Sequence, residues 1–111
     1  MTQKRVFWVG SARRAASELP AEARRQLGLD LYQVQLGRSP SSWRPMHSIG
    51  AGVIELRVSA AGEYRLLYVA RFSEGIYVLH VFQKKRRKTS PFDIEVARAR
   101  FRMACRMHEE A

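Results

Sequence analysis

Three stretches in the second half of the chain alternate apolar and polar residues as β-strands do. They cover residues 52–58, 63–71 and 75–83, and the short links SAAG and FSEG, each with one glycine, separate them. Strands joined by about three to five residues that include glycine form β-hairpins. The pattern therefore predicts a three-stranded antiparallel meander.

The same alternation assigns side chains to the two faces of this predicted sheet, because successive residues of a strand point to opposite sides. Glu55 and Arg57 share one face of the first strand, and Arg65 lies on the second strand beside it. In the third strand, the alternation places His80 on one face with Ile76, Val78 and Phe82. Both faces carry apolar residues, so we expect both to be at least partly covered.

The first half of the chain predicts one strand followed by two helices. Residues 5–9 have the composition of a strand, and residues 11–19 form a helical segment with Ser11 as its N-cap. Pro20 can open a second helix and Gly37 can end it. The apolar stripe of this second helix consists of Ala23, Leu27, Leu31 and Val34. We expect the two helices to form an antiparallel hairpin.

The remaining segments complete an α+β domain. Residues 37–52 are rich in Gly, Pro and Ser and predict a loop, which is long for a compact domain and hints at a function. A last helix begins with Ser90 as N-cap, Pro91 and Asp93. Its apolar stripe consists of Ile94, Ala97, Phe101, Ala104 and Cys105. The sequence thus predicts a single domain over residues 1–111, in which helices cover one antiparallel sheet.

The charge of the chain indicates which class of partner this fold would bind, namely polyanions. The 111 residues carry a net charge of +10, and residues 84–88 are five consecutive cations at the end of the third strand. Such a balance favours nucleic acid, an acidic protein or anionic lipid.

Several other classes are disfavoured by the sequence. No apolar run approaches the roughly 20 residues of a spanning helix, and the apolar stretch near the N-terminus is too short for a signal peptide. We therefore expect a cytoplasmic protein that does not bind membranes. The single cysteine excludes an internal disulfide, and the three histidines lack zinc-like spacing. No metal or other cofactor is expected.

Residues 52–101 resemble the phage-derived, HigB-like branch of the RelE/ParE toxin superfamily. This stretch covers nearly half of the chain. The features that carry the resemblance are Glu55-Leu56-Arg57, Tyr64-Arg65, Leu67-Tyr68, Leu79-His80, Phe82, Lys84-Lys85, Thr89-Ser90-Pro91, Ile94 and the Ala97-to-Arg100 region.

The resemblance implies a RelE-like fold and a toxin of a type II toxin–antitoxin pair. RelE-like toxins enter the ribosomal A site and cut mRNA without a metal: the 2′-hydroxyl attacks the adjacent phosphate and leaves a cyclic phosphate and a free 5′-hydroxyl. The expected partners are the ribosome, mRNA and an antitoxin with a helix-turn-helix domain.

The residues themselves are compatible with this chemistry. Metal-free cleavage needs fixed cations around the phosphate and groups that move two protons. Arg57 and Arg65 leave adjacent strands of the predicted meander, although each could instead pair with Glu55 or Glu63. The catalytic candidates are Arg57, Arg65, His80, Lys84 and Lys85, and the candidates for nucleic-acid binding are Arg86, Arg87, Lys88 and Phe92.

This chain differs from RelE at two places, so the resemblance does not assign the residue that acts as general base. RelE carries a pair of lysines on the strand that corresponds to residues 52–58, where this chain has Val53 and Glu55. Glu55, His80 or Lys84 would have to serve instead. The tyrosine that RelE carries early in its last helix is replaced near Phe92, which cannot exchange a proton but can stack on a base.

Two other functions therefore remain open. One is a ParE-like inhibitor of DNA gyrase, which acts by binding a protein. The other is a nucleic-acid-binding module without catalysis, which the missing lysine pair favours.

Overall fold

A computed structural model describes residues 3–111 and confirms the α+β class. Met1 and Thr2, with which the predicted domain begins, lie outside the described residues. The elements in chain order are β1 (Arg5–Trp8), α1 (Ala12–Ser17), α2 (Ala21–Gln35), β2 (Trp43–Pro45), β3 (Val53–Ser59), β4 (Glu63–Val69), β5 (Gly75–Lys84) and α3 (Pro91–Glu109).

The strands form one sheet in the order β1-β5-β4-β3-β2. The predicted meander is confirmed, since β3, β4 and β5 pair antiparallel, whereas β1 pairs parallel with β5. The prediction of an unbroken loop over residues 37–52 is wrong. This segment contains β2, which pairs antiparallel with β3 and brings Arg44 opposite Glu55. A strand of three residues is too short to show an alternation of its own.

Both faces of the sheet are covered, as the apolar pattern predicted. On one face, the four stripe residues of α2 are all buried against strand residues such as Leu56, Leu66 and Val78. On the other face, Ala97 and Ala104 of α3 pack with strand residues such as Leu67 and Leu79. Each face thus belongs to a separate apolar cluster.

A β-bulge in β5 changes which residues share a face. Leu67 pairs with His80 but the next residue, Tyr68, pairs with Val78, so that Leu79 is an extra residue. Val78 packs on the α1–α2 side, whereas His80 hydrogen-bonds to α3 on the opposite side. The prediction that His80 shares a face with Ile76 and Val78 is therefore wrong. Bulges re-aim the side chains that follow them in this way.

The two predicted helix starts differ in outcome. Ser90 is the N-cap of α3, and its Oγ accepts a hydrogen bond of 3.1 Å from the Asp93 backbone N–H, as predicted. Ser11 precedes α1 without a capping bond from its side chain. Its hydroxyl instead accepts a bond of 2.8 Å from Arg100 Nη2, which ties α3 to the start of α1. None of the three helices in residues 3–111 has the length and the apolar composition of a membrane-spanning segment.

Candidate functional site

A cleft of about 500 Å³ opens on the α3 side of the sheet, between β2, β3, the end of β5 and the loop that leads into α3. We call it the cationic cleft. Its basic lining residues are Arg44, His47, Arg57, Lys84, Arg87 and Lys88. None of the described residues that line it is acidic. The cleft therefore gathers positive charge from four separate segments of the chain.

The strand register explains how these cations meet. Arg57 of β3 lies directly opposite Arg65 of β4, and Lys84 lies opposite Glu63 at the far end of β5. Without the bulge at Leu79, the alternation of β5 would point Lys84 to the other face. The bulge thus places Lys84 on the same side as the two arginines.

A buried carboxylate, Glu55, lies beneath the cleft and organises the arginines. Arg44 Nε donates a hydrogen bond of 2.9 Å to Glu55 Oε1. The Nε atoms of Arg57 and Arg65 lie 3.6 and 3.7 Å from the same oxygen. Because one carboxylate faces three guanidinium groups, the cluster keeps an excess of positive charge.

Arg65 supports this cluster from below and does not line the cleft. Only 4% of its side chain is exposed. Its Nη1 donates to the Tyr64 carbonyl oxygen at 2.9 Å and to Glu63 Oε1 at 3.3 Å. The sequence left open whether Arg65 pairs with Glu55 or with Glu63, and the structure contains both ion pairs. Arg65 can therefore affect the cleft only indirectly, through Glu55.

Lys84 lies in the cleft itself, and its surroundings disfavour its charged form. Burial is the largest cause that lowers the pKa of its ammonium group, and the charge of Arg65 acts in the same direction. Glu55 opposes this change, while Arg44 and Arg57 add to it. A lysine with a lowered pKa exchanges a proton more readily near neutral pH than an ordinary lysine.

His80 is buried outside the cationic cleft and links β5 to α3. Its Nε2 lies 2.7 Å from Asp93 Oδ1, and Ser90 Oγ donates a bond of 2.7 Å to the other oxygen of Asp93. Its ring stacks on Phe82 at 4.9 Å between centroids. Burial lowers the pKa of His80, although Asp93 opposes this change. Within residues 3–111, no three His, Cys, Asp or Glu side chains are grouped to hold a metal ion.

The remaining predicted residues surround the cleft. Lys85 and Arg86 line an adjoining cavity of about 190 Å³, and Lys84 and Lys88 border both spaces. Phe92 is 68% exposed on the first turn of α3. The structure thus brings Arg57, Lys84, Arg87 and Lys88 together in one cleft. Lys85 and Arg86 line the adjoining cavity, Phe92 is exposed on α3 and lines neither space, and Arg65 and His80 are buried.

Arg44 and His47 are lining residues that the sequence did not predict. Both come from the segment 37–52, where no periodic pattern singles them out. Buried Met46 and Ile49 flank His47 and hold this part of the segment against the α3-side cluster. In the sequence, the unusual length of the predicted loop pointed to this segment but not to these two residues.

The family model "Phage derived protein Gp49-like (DUF891)" matches residues 15–102 of this chain. The match spans most of the chain and includes every basic residue that lines the cationic cleft. A comparison with curated proteins finds no match.

Proposed function

Since this chain belongs to the phage-derived Gp49-like family, a RelE-like toxin family of toxin–antitoxin systems, we propose that it is the toxin of a type II pair. Its activity in this proposal is ribosome-dependent, metal-independent cleavage of mRNA. The observation that carries the proposal is the cationic cleft, in which Arg44, Arg57 and Lys84 are held on the strands of one sheet. Cations held in this way stabilise the charge that develops on a phosphate during cleavage.

The roles follow from the position of each side chain. Arg44 and Arg57 stand above buried Glu55 and would hold the scissile phosphate. Lys84 and His47 line the same cleft and can carry protons. One would take the proton of the attacking 2′-hydroxyl and the other would give a proton to the leaving 5′-oxygen. The products are a 2′,3′-cyclic phosphate and a 5′-hydroxyl.

Residues around the cleft would bind the rest of the RNA. Lys85 and Arg86 are exposed beside it, and Arg87 and Lys88 lie at its edge, where they can neutralise backbone phosphates. Phe92 offers an exposed ring on which a base can stack. Of the three candidates for the general base, Lys84 is the one that lines the cleft, because Glu55 and His80 are buried.

The proposal also includes the partners and the location. A HigB-like toxin would be held by an antitoxin with a helix-turn-helix domain, and it would act in the cytoplasm, where ribosomes and mRNA are. Opposite net charge on the antitoxin would make association fast and salt-sensitive, since this chain carries +10.

A nucleic-acid-binding module without catalysis is the second candidate. It is favoured by the carboxylate of Glu55, which stands near the position of a RelE lysine and is fully buried. Phe92 also lacks the hydroxyl of the RelE tyrosine. This candidate predicts RNA binding by the cationic cleft without new RNA ends.

Expression of the protein alone in bacteria should arrest growth by stopping translation. Pulse labelling with radioactive methionine and thymidine measures which synthesis falls first. We expect protein synthesis to fall before DNA synthesis. An early fall in DNA synthesis, together with gyrase-linked DNA breaks, would favour the ParE-like alternative.

A further inference from the structure

An apolar groove lies on the face of the sheet opposite the cationic cleft. It runs between α1 and α2 and encloses about 240 Å³. Leu27 and Leu31 of α2 form one wall, and Trp8 of β1 and Leu66 of β4 form the floor. We call it the helix groove. Apolar recesses of this kind between two helices are typical sites for the apolar face of a third helix.

Gly28 keeps this groove open at a cost to its own helix. It lies in the middle of α2, where glycine destabilises a helix relative to alanine. Apart from the adjacent residues and backbone of its own helix, a Cβ atom at this position would meet no atom of the protein within 4 Å. Packing within the chain therefore does not require glycine here. The free space above its backbone permits close approach of a group from outside.

The charged residues at the rim of the helix groove indicate which kind of molecule it can bind. Arg13 of α1 and Arg24 of α2 border the groove and are exposed. A second copy of this chain would bring the same arginines and another +10 charge to the contact, so self-association is disfavoured. The groove is also smaller than the roughly 300–1,000 Å³ of small-molecule sites. An acidic protein segment with a few apolar side chains fits both the volume and the charge.

We propose that the helix groove binds an amphipathic, acidic helix of a partner protein, with apolar side chains over Gly28 and carboxylates beside Arg13 and Arg24. This binding goes beyond RNA cleavage and does not depend on it. If the proposed function is correct, the antitoxin is the natural source of such a helix.

A peptide library tests the proposal even though the partner protein is unidentified. Random helical 15-residue peptides displayed on phage are selected on the purified full chain at physiological salt. We expect the enriched sequences to combine a few large apolar residues with Asp and Glu. Amide chemical shifts of the isotope-labelled protein should change mainly in α1 and α2 when a selected peptide is added.

Two variants of one helix provide the matched comparison. Gly28→Trp adds a large side chain at a position whose Cβ has free space, and it should weaken binding of the selected peptides at least about tenfold, because a central apolar anchor is displaced. Leu29→Trp adds the same side chain at the adjacent, exposed position, which does not line the groove, and should leave the affinity unchanged. Circular dichroism checks that both variants fold.

A charge reversal provides a second, independent comparison. The double change Arg13→Glu and Arg24→Glu should slow association of the peptides, whereas Arg102→Glu with Arg106→Glu alters the net charge equally on exposed positions of α3. The proposal is overturned if no peptide is enriched, or if the enriched peptides bind Gly28→Trp as well as the unaltered chain. It is also overturned if sedimentation shows a dimer that Gly28→Trp dissociates. These are binding measurements, so a failure to arrest growth would count against the proposed function alone.

Discussion

The buried carboxylate of Glu55 determines the charge balance of the cationic cleft. It accepts a hydrogen bond from Arg44 through Oε1, and two further guanidinium groups lie within 3.7 Å of that oxygen. Its other oxygen is buried without a hydrogen-bond partner among the described residues. Glu55 thus draws the three arginines together but neutralises only part of their charge, so the cleft keeps an excess of positive charge.

Arg65 and Arg57 should respond differently to truncation, because one is buried and the other is not. Arg65→Ala leaves Glu55 with one fewer cation, and we expect the free energy of unfolding to fall by about 3 kcal/mol. Arg57 is 39% exposed, and Arg57→Ala should cost less than about 1 kcal/mol while toxicity is lost. Urea denaturation of both variants measures the difference. Equal stability of the two would contradict the supporting role of Arg65.

Lys84 and Lys85 are adjacent in sequence and both line the smaller cavity, but only Lys84 also lines the cationic cleft, so their loss should have unequal effects. Lys84→Met removes a charge and a proton carrier from the cleft, and we expect RNA cleavage to fall on the order of 100- to 1000-fold. Lys85→Met should reduce it less than about tenfold, because Lys85 lines only the adjoining cavity among those described. The RNA cleavage rates of the two purified variants, each compared with that of the unaltered protein, measure this difference. A larger loss for Lys85→Met would move the catalytic role to that residue.

At the scale of elements, the bulge in β5 and the short strand β2 complete the site. The bulge at Leu79 turns Lys84 and His80 toward α3, and β2 adds Arg44 beside Glu55. The alternation of apolar and polar residues predicted the bounds of β3, β4 and β5 to within about two residues. The helical periodicity predicted the apolar stripes of α2 and α3, and the Ser-Pro-Phe-Asp start predicted the Ser90 cap. These patterns could not predict the bulge or β2, because both depend on pairing with a neighbouring strand. For the same reason, nothing in the sequence indicated that Arg44 and His47 lie in one cleft with Arg57 and Lys84.

The start of α3 is fixed by a chain of three side chains, Ser90, Asp93 and His80. Ser90→Ala removes both the cap and a hydrogen bond to Asp93, and should lower the free energy of unfolding by about 1 kcal/mol. Ser90→Thr keeps the hydroxyl and should restore most of this loss. Thermal denaturation followed by circular dichroism compares the three proteins. An unchanged stability of Ser90→Ala would mean that α3 is held by its apolar stripe alone.

In the whole molecule, the two faces of one sheet carry different surfaces. The α3 side presents the cationic cleft, and the α1–α2 side presents an apolar groove with a basic rim. The +10 charge was visible in the sequence, as was the position of Arg57 and Arg65 on adjacent strands, but the contribution of Arg44 was not, because β2 was not predicted. The proposed RNA site and the proposed protein site thus lie on opposite faces of the sheet.

Primer extension on mRNA in a purified cell-free translation system tests the central claim most directly. The protein is added to a translated message and to the same message without its ribosome-binding site, and Lys84→Met serves as the control. We predict discrete new 5′ ends within the reading frame of the translated message alone, and a much weaker signal with Lys84→Met. Absence of new ends on the translated message, or equal cleavage by Lys84→Met, would contradict catalysis by the cationic cleft.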